Sequence, residues 1–282
     1  MWFGCSTAHN YIDERQVEGR EQHPSKSEEL LYKIFLIGDA GARSKNSGEP
    51  IFKLLKEQLN KSGKRSAVIF LGDNIYPSGM PDSAAIDRSR AENILNRQLA
   101  TVDDFEGRVI FIPGNHDWLS GGVEGLNRQK NYIENYLNRK DVFLPEGGFP
   151  GPVEIELMDN GDHPDLREDI RLIILDTQWW LQDDNKPFGD TGEYILEDAG
   201  DFLRELQNTL LERRNDHVMV LGHHPLFSNG SHGGYFPLKT HLVPPVIGTL
   251  YAGYRKFFGY SQDIANYRYS LLKEELLQLF NG

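Results

Sequence analysis

The sequence predicts an α/β fold in which polar side chains gather at the ends of several strands. Four apolar runs, each rich in Val, Ile, Leu or Phe, have the length and composition of buried strands. Each run ends at a Gly that polar residues follow, in FLIGDAG, VIFLGDNIY, VIFIPGNHD and VMVLGHHP. Open α/β sheets form their ligand sites beyond the carboxyl ends of the strands. Residues distant in sequence are therefore expected to meet there.

The first half of the chain alternates between strands and helices. Segment 49–61 places Ile51, Leu54, Leu55 and Leu59 at helical spacing, and Gly63 lies just past its end. The same reasoning predicts the other elements of this half: strands 32–37, 67–71 and 108–112, and helices near 86–99 and 125–138.

The second half begins with a different pattern. Segments 153–158 and 170–175 flank NGDHPDLRED, whose turn-forming residues predict an antiparallel pair of strands. A helix over 198–213 and a strand over 217–221 follow, and a last helix is predicted near 265–280. The aromatic stretch 237–261 carries Pro and Gly, so an inserted loop or lid is expected there.

Length and charge narrow the class of protein. The 282 residues are 39% hydrophobic, which is enough for one large core, and no apolar stretch reaches the ~20 residues that span a membrane. The net charge of −12 argues against nucleic acid as a partner, because phosphate contacts need clustered Lys and Arg. Solubility is the simpler explanation of that charge.

The N-terminus leaves two interpretations open. Cys5 is the only cysteine, so neither an intramolecular disulfide nor a thiolate metal cluster is possible. The sequence around it resembles a bacterial lipoprotein junction without its apolar region, which predicts the tail of a clipped signal, a lipid anchor at Cys5 and a periplasmic or envelope location. The alternative is an ordinary disordered N-terminus, with a cytoplasmic location. In either case residues 1–30 are expected to be a tether before a domain spanning 31–282.

The side chains at the strand ends are ligand types for metal ions. They are Asp39, Asp73, Tyr76, Asn115, His116, His223 and His224. Carboxylates suit hard ions and imidazole suits ions such as zinc and iron, so the mixed set predicts a transition-metal pair. Two such ions, about 3.5–4 Å apart, can share a carboxylate and assist phosphate hydrolysis. Asp73 is the candidate for the shared ligand.

GDAG, GDNIY, GNHD and GHH in this order resemble the calcineurin-like metallophosphoesterase superfamily over residues 32–235. Most of that superfamily has Asp-x-His at the first motif, but Gly41 replaces the His here and Tyr76 follows the second motif's Asp by three residues. This exchange resembles the purple acid phosphatases. The resemblance implies a four-layer α/β/β/α sandwich and hydrolysis of a small phosphomonoester.

The resemblance also implies a role for each ligand. Asp39 and Tyr76 would bind a ferric ion, Asp73 would bridge, and Asn115 and His223 would bind a divalent iron, zinc or manganese ion. These assignments are carried over from the family.

The resemblance implies three further catalytic residues. His116 would be the general acid for the leaving alkoxide, oriented by a carboxylate such as Asp117. His232, nine residues after His223, would be a second imidazole beside the substrate. His224 is expected to pack against or hydrogen-bond to the metal ligands without binding a metal itself; the alternative is that it is a ligand.

One family motif is missing from the sequence. The family takes its last two ligands from Gly-His-x-His, and no such motif follows the GH motif of this chain. The chain therefore resembles one truncated before its last strands. The alternative is an intact but noncatalytic metal- or phosphate-binding envelope module that uses segment 237–261 to meet a partner. The sequence does not determine the oligomeric state.

Overall fold

The computed structural model describes residues 30–42, 50–159, 169–184, 186–242 and 245–281. The tether predicted for residues 1–30, apart from Leu30, and the anchor predicted at Cys5 lie outside these residues. The chain forms two compact units; one is Leu31–His224, and the described part of the other consists of Leu30 and residues 225–242 and 245–281. Among the described residues, no helix has the length and apolar character needed to cross a membrane.

The described elements follow the predicted order closely. The strands are β1 (Lys33–Ile37), β2 (Ser66–Phe70), β3 (Arg108–Phe111), β4 (Val153–Met158), β5 (Ile170–Ile174), β6 (Gly189–Asp190), β7 (Ile195–Leu196) and β8 (His217–Leu221). The helices are α1 (Pro50–Leu59), α2 (Arg88–Val102), α3 (Val123–Leu137), α4 (Thr177–Leu181), α5 (Ala199–Glu212), α6 (Leu238–Leu242), α7 (Pro245–Phe257) and α8 (Tyr267–Asn281).

The first sheet has the order β1-β2-β3 and is parallel throughout. Strand β2 is central and fully buried, which explains why its sequence, SAVIF, shows no polar alternation. Side chains from one face of this sheet form a core with α1, α2 and α3, which includes Phe70 and Phe111 with their rings stacked 4.2 Å apart.

The second sheet has the order β4-β5-β8. Strands β4 and β5 are antiparallel, as predicted, whereas β5 and β8 are parallel. A second core lies between the two sheets; Ala67, Ile69, Ile110 and Ile112 come from the first, and Ile155, Leu172, Ile174 and Leu221 from the second. The helix, sheet, sheet layering confirms the predicted α/β class.

Segment 237–261 differs from the prediction. It was expected to be a loop, but it contains helices α6 and α7. Pro245 is the first residue of α7. The backbone N–H at that position has no acceptor within a helix, so proline, which has no N–H, is tolerated there. Gly248 and Ala252 are the buried positions among residues 246–257 of α7, and their spacing of four places them on one face of the helix. The structure therefore assigns this stretch to a packed element of the second unit.

Candidate metal centre

Two of the predicted ligands occupy an unusual backbone conformation. Asp39 follows β1 with a φ of 53°, and Asp73 follows β2 with a φ of 54°. Non-glycine residues rarely adopt this left-handed region, and the conformation persists where surrounding contacts impose it. Close approach of the neighbouring loops is one such constraint: a Cβ at Gly72 would lie 2.7 Å from Nδ1 of His223 and 2.8 Å from the backbone N of Gly114.

Asp73 lies between two groups of predicted ligands. Its side chain is buried, and its Oδ2 lies 2.7 Å from Oη of Tyr76. Its Oδ1 accepts a hydrogen bond from the backbone N–H of His116 at 2.9 Å and lies 3.5 Å from Nε2 of His223. One carboxylate therefore presents one oxygen to each group, as a shared ligand must.

The phenol of Tyr76 joins the two carboxylates of the first group. Its Oη lies 2.7 Å from Oδ1 of Asp39 as well as from Oδ2 of Asp73. A phenol has one proton and can donate to only one of the two carboxylates. In the other contact two oxygen atoms face each other with no hydrogen between them. Burial, with hydrogen bonds and charge from Asp73 and Asp39, raises the pKa of Tyr76 far above its ordinary value. A cation among these three oxygens would relieve the repulsion and reverse that shift.

The second group is arranged around the ring of His223. Nδ1 lies 2.8 Å from the carbonyl O of Leu71, which assigns the proton to Nδ1 and leaves Nε2 with a lone pair. Nε2 in turn lies 3.2 Å from Oδ1 of Asn115 and 3.5 Å from Oδ1 of Asp73. Three acceptor atoms thus face one another, and an imidazole fixed from behind by a carbonyl is the usual arrangement of a metal-ligating histidine. The donor set fits a cation.

His116 is adjacent to both groups. Its Nδ1 lies 2.5 Å from the carbonyl O of Pro77, and its Nε2 lies 3.9 Å from Oδ2 of Asp73. The ring packs against Tyr76 with 4.1 Å between ring centroids, and 29% of its side chain is exposed. The structure therefore places His116 at the predicted cluster, with its ring in reach of solvent.

Asp117 is fully buried and binds the loops that follow β2 and β3. Its carboxylate accepts hydrogen bonds from five donor groups, which are the backbone N–H groups of Asn74, Ile75 and Gly114 and the side-chain amides of Asn74 and Gln129. Burial, together with the charge of Asp73, raises the pKa of Asp117 to about 6. The residue fixes the two loops that carry Asp73, Tyr76 and Asn115.

The orientation of His116 therefore needs a correction. The sequence suggested that a carboxylate such as Asp117 would orient this ring, but the observed ring contact at Nδ1 is with the main-chain O of Pro77. Among the described contacts of Asp117, none is with the imidazole. The carboxylate instead accepts hydrogen bonds from the backbone N–H groups of Asn74, Ile75 and Gly114.

Sequence reasoning did not single out Asp176 and Thr177, which follow β5. Asp176 accepts hydrogen bonds from the indole of Trp118 at 2.8 Å and from two backbone N–H groups at the start of α4. Burial raises the pKa of Asp176 to about 7. Oγ1 of Thr177 lies 2.7 Å from Nδ1 of His224, a buried residue whose ring packs edge-on against His223 at 4.8 Å. The signal was present, since LIILDT is another apolar run that ends in polar residues.

Gly41 lies in a space that no side chain can enter. A Cβ there would lie 2.4 Å from the backbone C and O of Asn74. Gly41 also donates its backbone N–H to the carbonyl O of Asp73 at 3.0 Å. A histidine at this position would need the GDNIY loop to move, so the first motif cannot supply the imidazole of Asp-x-His in this conformation.

Two further groups of titratable residues have partners of their own. His232 belongs to the second unit, where its Nδ1 contacts Asp263. Carboxylate oxygens of Glu156, Asp159 and Asp169 lie within 4.8 Å of one another. Arg171 forms ion pairs with Glu156 and Asp169 there, so the charge of this acidic group is already partly balanced.

Comparison with known proteins identifies the family. The family model of calcineurin-like phosphoesterases matches residues 32–252. The chain belongs to this family. The match includes Asp39, Asp73, Tyr76, Asn115 and His223, and the family implies that this calcineurin-like phosphoesterase is a metal-dependent phosphoester hydrolase. No curated protein matches the chain.

Proposed function

We propose that this calcineurin-like phosphoesterase hydrolyses phosphomonoesters with two metal ions, in the manner of a purple acid phosphatase. The observation that carries the proposal is the placement of Asp73, whose Oδ2 faces Tyr76 and whose Oδ1 faces His223. A carboxylate whose two oxygens face different ligand groups is suited to bind one ion through each oxygen. When bound, such a pair activates water and neutralises phosphoryl oxygens.

The two ligand groups differ in chemistry. Asp39 and Tyr76 supply anionic oxygens, which suit a ferric ion, whereas Asn115 and His223 supply a neutral oxygen and a nitrogen, which suit a divalent iron, zinc or manganese ion. The backbone of Asn74 closes the space beside Gly41, which supports the subgroup in which the phenolate replaces a histidine.

His116 is the proton donor in this proposal. The carbonyl O of Pro77 holds its Nδ1, so the protonated ring has Nε2–H available for a substrate. As the bond from phosphorus to the leaving oxygen breaks, that proton passes to the alkoxide, which then leaves as an alcohol. His232 stays a predicted second imidazole for the same phosphate.

The test is hydrolysis of an aryl phosphate by the full-length protein supplied with iron and either zinc or manganese. His116→Ala is expected to slow the reaction by ~10²–10⁴-fold, the usual effect of losing a general acid, without changing metal content. His217→Ala, at an exposed histidine that starts β8, is the control and should leave the rate unchanged. A metal-loaded protein without turnover would instead support a noncatalytic metal- or phosphate-binding module.

The subgroup has a separate test that does not require turnover. Tyr76 bound to ferric iron should give the oxidised protein a purple colour, and Tyr76→Phe should remove the colour because no phenolate oxygen remains. A coloured band that survives in Tyr76→Phe would contradict the assignment of Tyr76 as a ligand.

A further inference from the structure

Helix α7 of the second unit exposes a row of large apolar side chains. Their exposed fractions lie between 41% and 72%, and the residues are Val246, Ile247, Leu250, Tyr251, Tyr254 and Phe257. At about 100° of rotation per residue, these positions fall within an arc of about 140° on one side of the helix. We call these six residues the α7 face. A contiguous exposed apolar group of this kind marks a site that binds a protein or a membrane.

The opposite side of α7 packs within the second unit. Gly248 and Ala252 are buried, and a Cβ at Gly248 would lie 1.8 Å from the carbonyl O of Thr240 in α6. Near the end of the helix, a Cβ at Gly234 would lie 2.8 Å from Cα of Lys256. Small residues thus let α6 and a neighbouring turn approach α7 closely on that side. The α7 face points outward because the other side of the helix is already occupied.

Aromatic rings continue the α7 face beyond the last turn of the helix. The ring of Tyr254 stacks on Phe258 with 5.8 Å between centroids and lies 5.5 Å from the ring of Tyr260. Both of these neighbours are exposed. A tyrosine has an apolar ring and a polar hydroxyl, so tyrosines concentrate where lipid headgroups meet acyl chains. The composition of this surface is therefore typical of a membrane interface.

The charge of this region is opposite to that of the whole protein. Residues 225–262 contain no Asp and no Glu, although the chain has 42 acidic residues and a net charge of −12. The same stretch contains Lys239, Arg255 and Lys256. Arg255 is paired with the buried Asp263, whereas both lysines are exposed. Their long stems can carry the ammonium groups to anionic headgroups while α7 lies in the interface.

We propose that the α7 face docks the protein on an anionic membrane surface, with α7 in the headgroup region and its apolar side chains in contact with acyl chains. Amphipathic helices with basic and aromatic residues bind bilayers in this way. At physiological salt the Debye length is about 8 Å, so the residues in contact with the membrane decide the attraction and distant carboxylates are screened. This inference goes beyond the proposed phosphatase function and does not depend on it.

A second copy of the chain fits the α7 face less well. A symmetric dimer places the same surface of each copy against the other. The lysines of α6 and α7 would then meet the same lysines of the partner, and like charges repel. Anionic headgroups instead attract both lysines.

The first experiment is flotation of the full-length protein with lipid vesicles. One set contains phosphatidylcholine alone, and the other contains phosphatidylcholine with phosphatidylglycerol. The protein should bind the anionic set about 25-fold more tightly, which is ~5-fold for each exposed lysine. The difference should shrink between about 0.1 M and about 1 M salt, because salt screens the charges. No binding to the anionic set, or equal binding to both sets, would overturn the proposal.

Leu250→Asp places a charge within the α7 face. The leucine is exposed, so the variant should fold, which circular dichroism checks. Binding to anionic vesicles should fall by ~10–100-fold, because the buried apolar side chain is lost. Leu211→Asp, at an exposed leucine of α5 in the other unit, is the matched control and should bind like the wild type. Undiminished binding of Leu250→Asp, or equal losses in the two variants, would count against the α7 face.

Phe257→Trp tests directly whether the α7 face enters the bilayer. The fluorescence that the new indole adds should move to shorter wavelength with anionic vesicles and should be quenched by brominated acyl chains. Leu211→Trp is the control and should show neither change. An unquenched indole at position 257 would overturn the proposal. So would a wild-type dimer in sedimentation equilibrium that becomes a monomer in Leu250→Asp, because it would assign the α7 face to a second copy.

Discussion

Each of the two units contains a fully buried aspartate, but the pKa values of the two carboxylates are shifted in opposite directions. Asp117 in the first unit accepts hydrogen bonds from neutral N–H groups, and its pKa is raised to about 6. Asp263 in the second unit faces Arg255, and its pKa is lowered. Burial is common to both and raises each pKa, so the charge of the neighbouring groups decides the direction of the net shift.

The difference matches what each carboxylate can do. Asp117 connects two loops behind the predicted ligands, a task that hydrogen bonds alone accomplish. Asp263 contacts an imidazole, and only a carboxylate that stays ionised both fixes the tautomer and stabilises the protonated ring. In the first unit the corresponding rings of His116 and His223 are fixed by main-chain carbonyls.

The largest effect is expected from Asp73→Asn, which removes the shared charge of the first unit. Both ions should be lost or weakened, because Asp73 faces both ligand groups, and hydrolysis of an aryl phosphate should fall below detection. Metal content by mass spectrometry and turnover measure this. Glu156→Gln, in the acidic group near Arg171, is the control; loss of metal there would move the metal site to that group.

Asp117→Ala should lower the free energy of unfolding by ~4 kcal/mol or more. Five buried donor groups would lose this acceptor, and each unsatisfied group costs ~1–3 kcal/mol. Urea unfolding measures the change. Asp104→Ala, at a mostly exposed aspartate, should have little effect. A similar small effect at Asp117 would mean that its hydrogen bonds do not hold the loops.

The free energy of unfolding should depend on pH with opposite signs for Asp176, whose partners are neutral N–H groups, and for Asp263, whose partner is Arg255. Burial raises the pKa of Asp176 to about 7. Between about pH 4 and pH 7 the folded state therefore keeps this carboxyl protonated while the unfolded state does not. The free energy of unfolding should fall as pH rises through that range. The loss should be on the order of 2–4 kcal/mol. Asp176→Asn keeps a cap for α4 and should remove this slope in urea unfolding measured across that range.

Asp263 provides the opposite case for the same measurement. Its pKa is lowered from the ordinary 3.8, so its contribution is complete above about pH 4 and is lost as pH falls below that value. Asp263→Asn should therefore reduce the acid sensitivity of the protein. Slopes of the same sign for both variants would contradict the comparison between neutral and charged partners.

The smallest effect is expected from Thr177→Val, which removes the hydroxyl beside Nδ1 of His224. The hydroxyl also accepts a hydrogen bond from the backbone N–H of His224, so the free energy of unfolding should fall by about 1–3 kcal/mol, the usual contribution of two hydrogen bonds, with metal content unchanged. Thermal unfolding and metal analysis measure these quantities. A large loss of metal would show that the packing of His224 against His223 orients the His223 ring more than the contact of its Nδ1 with the carbonyl O of Leu71.

Much of the first unit could be predicted because its signals are local. Buried strands such as β2 are short apolar runs, and α1 has hydrophobic spacing with a glycine past its end. The GDNIY motif carries Asp73 and Tyr76 only three residues apart, and in the structure their oxygens are 2.7 Å apart. Contacts between residues that are close in sequence, such as Asp73 and Tyr76, could therefore be predicted from the motif alone.

Contacts between distant residues could not be predicted in this way. Asp117 meets Asn74 across 43 positions and His232 meets Asp263 across 31, and no periodicity encodes such pairs. Segment 237–261 is predicted to be a loop because Pro and Gly are strong local signals, yet its described residues form α6 and α7. Proline is tolerated at the first position of a helix, so this local signal did not exclude one.

The sequence by itself determined the order of strands and helices, the residue types at the strand ends and, through its motifs, the family. The tertiary structure decided that Asp73 divides its oxygens between two ligand groups, that no side chain fits at Gly41, and that Asp117 faces loops instead of His116. The physical reason is that secondary structure follows from spacing along the chain. The charge and orientation of a buried group follow from partners that only the folded chain brings within hydrogen-bond distance.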